Sequence, residues 1–193
     1  MKFGPVLKST LFVLLFSTAN VVAEEVNYKA LQIGSSAELP EEILKYWQET
    51  PDDCAQGFNP DQDLVADFGA TAIVGREGSK LFILPCGSPA AYNATQILLS
   101  ANFSYSQIQL LAIPSIGEEG IYAETLGFGL QWDEETSRIT SYYKGRGLGD
   151  CGSAGTYKWP GDYYSSVVLV EQFAKDECDG ENTDWPQVWP PAR

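Results

Sequence analysis

The stretch from Tyr142 to Gly152 holds the residues of this sequence best suited to bind a ligand. It begins as an aromatic run, continues with alternating glycines and ends beside a cysteine, with Lys144, Arg146 and Asp150 as its charged side chains. Glycines let successive backbone N–H groups point at one anion, so the loop could form an anion-binding nest between the two cations. The alternative is structural: a strand leaves its sheet through a glycine loop that a disulfide holds in place.

The glycines also match a dinucleotide-binding pattern at Gly147, Gly149 and Gly152, but their context excludes that function. The pattern holds a pyrophosphate only where it follows a buried strand and opens a helix. Here the next residues, 153–159, are poor in helix formers and run into Pro160. We therefore expect no nucleotide at this loop.

Aromatic side chains cluster beside the same loop in sequence, namely Tyr142, Tyr143, Tyr157, Trp159, Tyr163 and Tyr164. Alternate members of such a run can pack in the core of a sheet. They could instead form an exposed patch for a sugar or a protein partner, with charged residues of the loop as its polar contacts. The predicted binding site consists of Lys144, Arg146, Asp150 and Trp159.

Missing residue types narrow the possible chemistry. The chain has no histidine, which removes Ser-His-Asp and Cys-His nucleophiles and histidine-ligated metal sites. Adjacent acids remain for carboxylate catalysis of the kind used in glycoside hydrolysis, although acids in turns are usually solvated charge. They are Glu118-Glu119, Asp133-Glu-Glu135 and Asp176-Glu177. The acids near Asp61 lack the spacing of an EF-hand. The sequence predicts no metal, no cofactor and no identified catalytic residue.

Four cysteines, Cys54, Cys86, Cys151 and Cys178, predict two disulfides. Their spacing lacks the close Cys-x-x-Cys pairs of a zinc site. Three connectivities are possible for four cysteines. We favour Cys54–Cys86 and Cys151–Cys178, because each of these bonds links residues within one half of the chain.

Residues 1–23 have the pattern of a secretory signal peptide. Lys2 and Lys8 precede and flank an apolar run at 11–16, and small residues at 21–23 form a cleavage site. The apolar run is too short to cross a membrane as a helix. The sequence therefore predicts a periplasmic or secreted protein with no membrane span after signal removal, and a single β-rich domain at 24–193.

The charge of the chain excludes some partners and permits others. There are 12 Lys and Arg against 26 Asp and Glu, a net charge of −14, which becomes −16 when the signal peptide takes away Lys2 and Lys8. Nucleic acids and anionic lipid surfaces repel such a protein. A basic protein partner is permitted.

Hydrophobic periodicity predicts one N-terminal helix followed by strands. Ser35 and Glu38 fit a capping box, and apolar residues then recur at helical spacing up to Trp47. The later segments alternate apolar and polar residues between turn signals. Predicted strands cover 65–75, 80–86, 91–100, 107–113, 126–132, 138–144, 156–159 and 163–170, and the proline-rich tail 185–191 is expected to be an irregular strap.

The predicted fold class is mainly β: an antiparallel β-sandwich or barrel of about eight strands with one N-terminal helix. A short internal similarity supports two similar four-stranded halves, at about 64–113 and 121–172. It pairs Cys86-Gly-Ser-Pro-Ala-Ala-Tyr92 with Cys151-Gly-Ser-Ala-Gly-Thr-Tyr157.

The sequence resembles a family of exported bacterial proteins catalogued as a domain of unknown function. The residues that carry the resemblance are Leu84-Pro-Cys86, Ala91-Tyr-Asn93, the run Ile139–Gly152, Trp159 with Gly161, Cys178-x-Gly180 and Trp185-Pro-x-x-Trp189. They lie in the later part of the chain and leave the N-terminal helix outside. Asp179 stands where the family usually has an arginine. The resemblance implies an exported, disulfide-bonded fold and no known reaction.

These observations predict a non-enzymatic exported module that binds a protein or a glycan of the cell envelope. One version is an inhibitor of a basic envelope hydrolase such as lysozyme, which the negative charge would attract. A carboxylate-based hydrolase acting on envelope glycans is one alternative, and a purely structural envelope module is another.

Overall fold

The structure, a computed structural model, describes residues 26–49, 54, 62–87, 92–181 and 183–191. The predicted signal peptide lies outside these residues. The helices described are α1 (Glu41–Glu49) and α2 (Leu64–Phe68), and short 3-10 turns occur at Ser36–Glu38 and Arg76–Gly78. Thirteen strands are described, in chain order: β1 (Lys29–Ile33), β2 (Ala70–Val74), β3 (Lys80–Pro85), β4 (Thr95–Ala101), β5 (Ile108–Leu111), β6 (Ile113–Gly117), β7 (Gly120–Glu124), β8 (Gly127–Phe128), β9 (Gln131–Asp133), β10 (Arg138–Lys144), β11 (Gly152–Lys158), β12 (Val168–Lys175) and β13 (Gln187–Trp189).

The strands form two antiparallel meanders and a separate hairpin. The first sheet has the order β1-β2-β3-β4-β5, with β8 also paired to β4. The second has the order β13-β12-β11-β10-β9, and β6 and β7 pair only with each other. Both sheets are open. The mainly β, antiparallel class predicted from the sequence is confirmed, and the open edges fit a sandwich rather than a closed barrel.

The first sheet is the middle layer of the molecule, because both of its faces are buried. On one face Phe82 of β3 belongs to the same apolar cluster as Ile43 and Trp47 of α1. On the other face Leu81 belongs to a cluster with Ile139 of the second sheet. Burying one such side chain contributes about 1.5–3 kcal/mol, so alternate residues of β3 hold a helix on one side and a sheet on the other.

The predicted N-terminal helix is present, with its start displaced. The Ser35 hydroxyl accepts a hydrogen bond from the Ala37 N–H at 3.3 Å, so it caps the 3-10 turn, and α1 begins only after Pro40. The indole of Trp47 donates to the Pro85 carbonyl at 2.9 Å, which fixes α1 to the end of β3.

Carboxamide side chains join the two sheets by replacing backbone partners. Asn93 donates to the Lys144 carbonyl and accepts from the Lys144 N–H, both at 2.9 Å. Gln96 accepts from the Leu130 N–H at 2.7 Å and donates to the Leu130 carbonyl at 3.2 Å. Each carboxamide thus satisfies both the N–H and the carbonyl of one residue.

Two predicted strands are wrong in part. Residues 65–68, predicted to begin a strand, lie in α2, because the Asp63 carboxylate caps a helix by accepting from the Val65 and Ala66 N–H groups. The run 126–132, predicted as one strand, is divided between β8 in the first sheet and β9 in the second. Gly129 between them has φ +56° and donates its N–H to Ala94, which turns the chain from one sheet to the other.

The structure also has more strands than the eight predicted. The hairpin β6–β7 was not predicted, and the tail expected to be irregular contains β13, which pairs with β12. The last predicted hairpin is longer and shifted, since β11 already begins at Gly152 and β12 begins only at Val168. The internal similarity of the two halves stays a prediction.

Candidate functional site

A groove lies between the hairpin β6–β7 and one face of strands β10 to β12. It consists of two adjoining cavities of about 630 and 280 Å³, which share Tyr122, Tyr143 and Ser153 in their walls. We call it the tyrosine groove. The hairpin forms one wall and the sheet face forms the other.

Small side chains on the sheet face leave the space for this groove. Ser141 of β10 lies opposite Gly155 of β11, and Ser153 lies opposite Ala174 of β12. A Cβ on Gly155 would stand 2.6 Å from the Tyr157 hydroxyl oxygen and 2.8 Å from the Ser141 hydroxyl oxygen. A larger residue at position 155 would therefore displace these two hydroxyls, which lie 3.4 Å apart in the floor.

Gln172 of β12 fixes the hairpin over the sheet. Its side chain is buried and accepts from the Ile116 N–H at 2.8 Å and from the Ser115 hydroxyl at 3.2 Å. Its amide nitrogen donates to the Ile116 carbonyl at 3.0 Å. One side chain thus bonds both backbone groups of Ile116, and it sets the width of the groove.

Two partly exposed tyrosines line the groove. Tyr122 is 45% exposed, and its ring lies against Gly117 on the same hairpin, where a Cβ would stand 3.0 Å away. Tyr143 is 37% exposed, and its ring centroid lies 4.9 Å from that of Phe128. The aromatic surfaces are held by neighbours and remain open to solvent.

The charge of the groove is mostly negative. Glu118, Glu124 and Asp176 line it together with one cation, Lys175. The Lys175 ammonium lies 2.8 Å from an Asp179 carboxylate oxygen, so its charge is partly compensated. Burial raises the pKa of the Tyr157 hydroxyl, against the hydrogen bond from Ser141, and the negative charge of Glu124 adds to the rise.

Arg146 and Asp150, two of the predicted site residues, lie in the loop beside this groove and bond to each other. The Arg146 guanidinium holds the Asp150 carboxylate through two bonds, from Nε at 2.8 Å and from a terminal nitrogen. The Gly180 N–H donates to the same carboxylate at 2.7 Å. The bonds from Arg146, against the opposing cost of burial, and the bond from Gly180 hold the pKa of Asp150 well below its usual range. This pair ties the glycine loop to the segment after β12.

Lys144, also a predicted site residue, forms no ion pair with a carboxylate of the described residues. Its backbone is held by Asn93, and its ammonium lies 5.9 Å from the centre of the Tyr142 ring. Two N–H groups proposed for an anion nest are used inside the loop: Gly145 donates to Cys151 and Gly149 donates to Arg146. No helix follows the glycines, because Gly152 opens strand β11.

Trp159 does not belong to a surface site, which corrects the sequence prediction for this residue. Its side chain is fully buried in the core between the sheets, and its indole donates to the Asp162 carbonyl at 3.0 Å. The other aromatics divide by strand face. Tyr143 enters the groove, whereas Tyr142 lies on the opposite face and stacks on Trp185 at 5.3 Å.

Both disulfides join the pairs favoured from the sequence, Cys54 with Cys86 and Cys151 with Cys178. The second bond lies in the wall of the tyrosine groove. Disulfides of this kind fit a protein of the periplasm or the extracellular space. In the described part of the chain, no helix has both the length and the apolar character to cross a membrane.

The acidic pairs are distributed over separate turns. Asp133 accepts from the Glu135 and Thr136 N–H groups and from the Thr136 hydroxyl, and the bonds from Thr136 lower its pKa. Glu118 lies in the turn of the hairpin β6–β7. Across the described ranges, no three His, Cys, Asp or Glu side chains lie together as metal ligands.

The sequence prediction missed the groove because it missed the hairpin that covers it. Gly117-Glu-Glu-Gly120 between Ile116 and Ile121 is a turn signal of the kind that joins two strands. With that hairpin in place, the pattern of Ser141 and Tyr143 on one face of β10 would have indicated an open wall. No sequence signal shows that Gln172 holds the hairpin.

Comparison with known proteins gives one family. A family model described as "Protein of unknown function (DUF1176)" matches residues 17–192. The match extends over α1, which the resemblance in the sequence left outside. No curated protein and no solved structure matches the chain.

Proposed function

Since the chain belongs to the family of unknown function DUF1176, whose description states no activity, we propose a function from the site itself. The protein is an exported, non-enzymatic binding module of the cell envelope, and it holds a glycan chain in the tyrosine groove. The observation that carries this proposal is the pairing of two open tyrosine rings, Tyr122 and Tyr143, with hydroxyls in one groove.

Sugar rings present apolar faces and a rim of hydroxyl groups, and the groove offers surfaces for both. The tyrosine rings are flat apolar surfaces with polar tips. The Ser141 and Ser153 hydroxyls and the Glu118 and Glu124 carboxylates supply hydrogen-bond donors and acceptors along the walls. A neutral or cationic glycan fits the negative charge better than an anionic one.

The spacing of two of the groove acids, Glu118 and Glu124, favours binding over hydrolysis by that pair. Glycosidase carboxylates lie about 5–10 Å apart across the scissile bond. Glu118 lies in the turn before Gly120, and Glu124 ends β7, so strand geometry places their backbones at least about 13 Å apart along the hairpin. The Asp150 carboxylate is already engaged in hydrogen bonds from Arg146.

Calorimetric titration of the oxidised exported protein with an N-acetylglucosamine tetramer tests the proposal. We expect binding that Tyr143→Ala weakens by about tenfold or more, the equivalent of about 1.4 kcal/mol. Tyr164→Ala removes a tyrosine that is 77% exposed and lies outside the groove, so it is the matched control and should bind like the wild type. Equal affinities of Tyr143→Ala and the wild type would refute the proposal.

The net charge of −14 favours a second candidate, in which the partner is a basic envelope hydrolase. Opposite charges accelerate association and raise affinity at low ionic strength. The purified protein should then slow lysozyme at low salt, and moderate salt should restore the rate. An unchanged rate at low salt rejects this candidate and leaves the glycan proposal standing.

A further inference from the structure

A second cavity, of about 800 Å³, gathers positive charge on this acidic protein. Arg76, Arg138 and Lys158 line it, and Glu135 is the acid in its wall. We call it the cationic pocket. It takes three of the nine Lys and Arg side chains in the described residues, although the whole chain has more than two acids for each cation.

Two of the cations lie near each other at the ends of neighbouring strands. The pairing of β10 with β11 ends at Ile139 and Tyr157, and Arg138 and Lys158 are the next residues beyond that last pair. Both line the same cavity. Like charges close together on neighbouring strands repel each other, and an anion bound between them would relieve the repulsion.

The nearest carboxylate in the strand pairing is already engaged. Asp133 of β9 pairs with Arg138, but both of its oxygens accept hydrogen bonds from its own turn, from Glu135 and Thr136. Arg138 donates to the Ser137 carbonyl at 3.2 Å. Within the described residues, neither Arg138 nor Lys158 forms an ion pair with a carboxylate.

The rest of the pocket lining is partly apolar, and its tyrosine is held in place by its neighbours. The apolar part consists of Val26, Tyr28, Pro160 and Val168. The Tyr28 ring packs on Trp132 at 5.2 Å, and its hydroxyl donates to the Trp159 carbonyl. Burial raises the pKa of Tyr28, the charges of Arg76 and Arg138 oppose that rise, and the negative charge of Asp162 adds to it, so charges of both signs lie near the ring.

Close backbone contacts fix the pocket across the two sheets. The Arg76 N–H, in the β2–β3 turn, donates to the Gly161 carbonyl at 2.6 Å, in the β11–β12 connection. A Cβ on Gly75 would stand 2.3 Å from that same carbonyl oxygen, so the approach requires glycine. The turn that carries Arg76 and the connection that contains Pro160 are therefore held together by their backbones before any ligand arrives.

We propose that the cationic pocket binds a small organic anion with an apolar body. Its carboxylate or phosphate lies between Arg138 and Lys158, and its apolar part lies against Tyr28, Val26 and Val168. Arginine and lysine are the common ligands of such anionic groups, and an apolar wall with a few convergent polar groups is typical of small-molecule sites. The proposal does not depend on the tyrosine groove, because the two sites share no lining residue.

Titration of the oxidised exported protein with hexyl phosphate and with hexanoate tests this site, with the fluorescence of Trp132 and Trp159 beside Tyr28 as one readout. Two controls each carry one half of the ligand: inorganic phosphate has the anionic group alone, and 1-hexanol has the apolar chain without the charge. We expect at least one of the two amphipathic anions to bind, more weakly at high salt, and each half alone to bind at least about tenfold more weakly.

Arg138→Gln and Lys158→Gln should each weaken this binding by about tenfold or more, because each removes a charge-assisted hydrogen bond. Lys45→Gln removes the same charge from the exposed face of α1 and should change nothing. Melting curves of the variants verify folding, and each pocket variant should melt no lower than the wild type, since the repulsion is relieved. The proposal is overturned if neither anion binds, if inorganic phosphate binds as tightly, or if the double variant binds like the wild type.

Discussion

A single carboxylate, Asp150, joins the glycine loop to the C-terminal segment. It accepts from Arg146 on one side and from the Gly180 N–H on the other, and it is buried. The charged residues that suggested a ligand site in the sequence therefore satisfy each other. What the loop contributes is the position of Tyr143 and Cys151 in the wall of the groove.

The lowered pKa of Asp150 predicts a dependence of stability on pH. A carboxylate whose pKa is lower in the folded state stabilises the fold above its unfolded pKa, about 3.9, and that contribution is lost as the pH falls toward the folded value. We expect Asp150→Asn to lower the melting temperature by several degrees at pH 7, and the difference from the wild type to narrow between pH 4 and pH 2. Asp184→Asn removes the same charge at an exposed position and is the matched control. A difference that stays constant with pH would contradict the account.

Gly152 is required by a close backbone contact. Its φ is +140°, and a Cβ there would stand 2.0 Å from the Tyr143 carbonyl oxygen. We expect Gly152→Ala to destabilise the protein by several kcal/mol more than Gly120→Ala. Gly120 also has a positive φ, +117°, but a Cβ there meets nothing within 4 Å, so its substitution costs only the backbone strain of about 1–3 kcal/mol. Urea unfolding of both variants measures the difference, and equal losses would show that the contact is not tight.

At the scale of elements, the hairpin β6–β7 is held as a unit by one side chain. Every residue of β7 is exposed, and Gln172 supplies three bonds to β6. Truncating this side chain removes the partner that bonds both the N–H and the carbonyl of the half-buried Ile116. The position of the hairpin, and with it the groove, therefore depends on Gln172.

Gln172→Ala should loosen the hairpin and leave most of the fold intact. We expect a loss of about 2–3 kcal/mol, since one buried carboxamide and its backbone partners lose their bonds. Hydrogen exchange should accelerate at 113–124 and stay unchanged in β2 to β4, and glycan affinity should fall. Gln131→Ala changes the same residue type at an exposed position and serves as the control. Uniform acceleration over the whole chain would show that Gln172 supports the core instead.

The second disulfide acts on the same region. Cys151–Cys178 closes a loop with a sequence separation of 27, for which chain entropy predicts a stabilisation of about 3–4 kcal/mol. The double variant Cys151→Ala/Cys178→Ala should lose about that amount in urea unfolding and should expose the segment at 176–181 to proteolysis. An unchanged cleavage rate there would mean that the bonds of Asp150 alone hold the segment.

The sequence predicted those elements whose pattern is local. The hairpin β2–β3 was predicted because two apolar runs flank a turn around Gly78, and α1 because Ile43 and Trp47 recur at helical spacing. The run 126–132 was wrongly predicted as one strand. Gly129 turns the chain from one sheet to the other there, but the large residues still alternate along the sequence as they would in a continuous strand. Lys144, Arg146 and Asp150 were singled out by type, but only the fold shows that two of them bond to each other. Gln172 could not be found, because its partner lies 56 residues away.

At the scale of the whole molecule, the second sheet separates two sites along its strands. The cationic pocket lies at the Arg138 and Lys158 ends of β10 and β11, and the tyrosine groove lies toward Tyr143 and Ser153. Five residues of strand place the two about 16 Å apart. The sandwich thus holds a positive site and a mostly negative groove on one rigid layer.

This separation predicts that the two ligands bind independently. Saturation with hexyl phosphate should leave the affinity for the N-acetylglucosamine tetramer unchanged, because the two sites share no lining residue among the residues that the structure describes. Calorimetric titration with and without the second ligand measures the coupling. A change of more than about fivefold, or roughly 1 kcal/mol, would show that the sheet transmits a rearrangement.

Mapping by NMR shows whether the tyrosine groove is the ligand site. Backbone amide signals of the isotopically labelled oxidised protein would be followed during titration with the N-acetylglucosamine tetramer. If the groove binds the glycan, the shifted signals belong to 113–124, 141–145, 151–157 and 172–176, and Tyr143→Ala abolishes the shifts. Shifts confined to other surfaces, such as the turn around Tyr163 and Tyr164, or no shifts at millimolar sugar, would refute the glycan proposal.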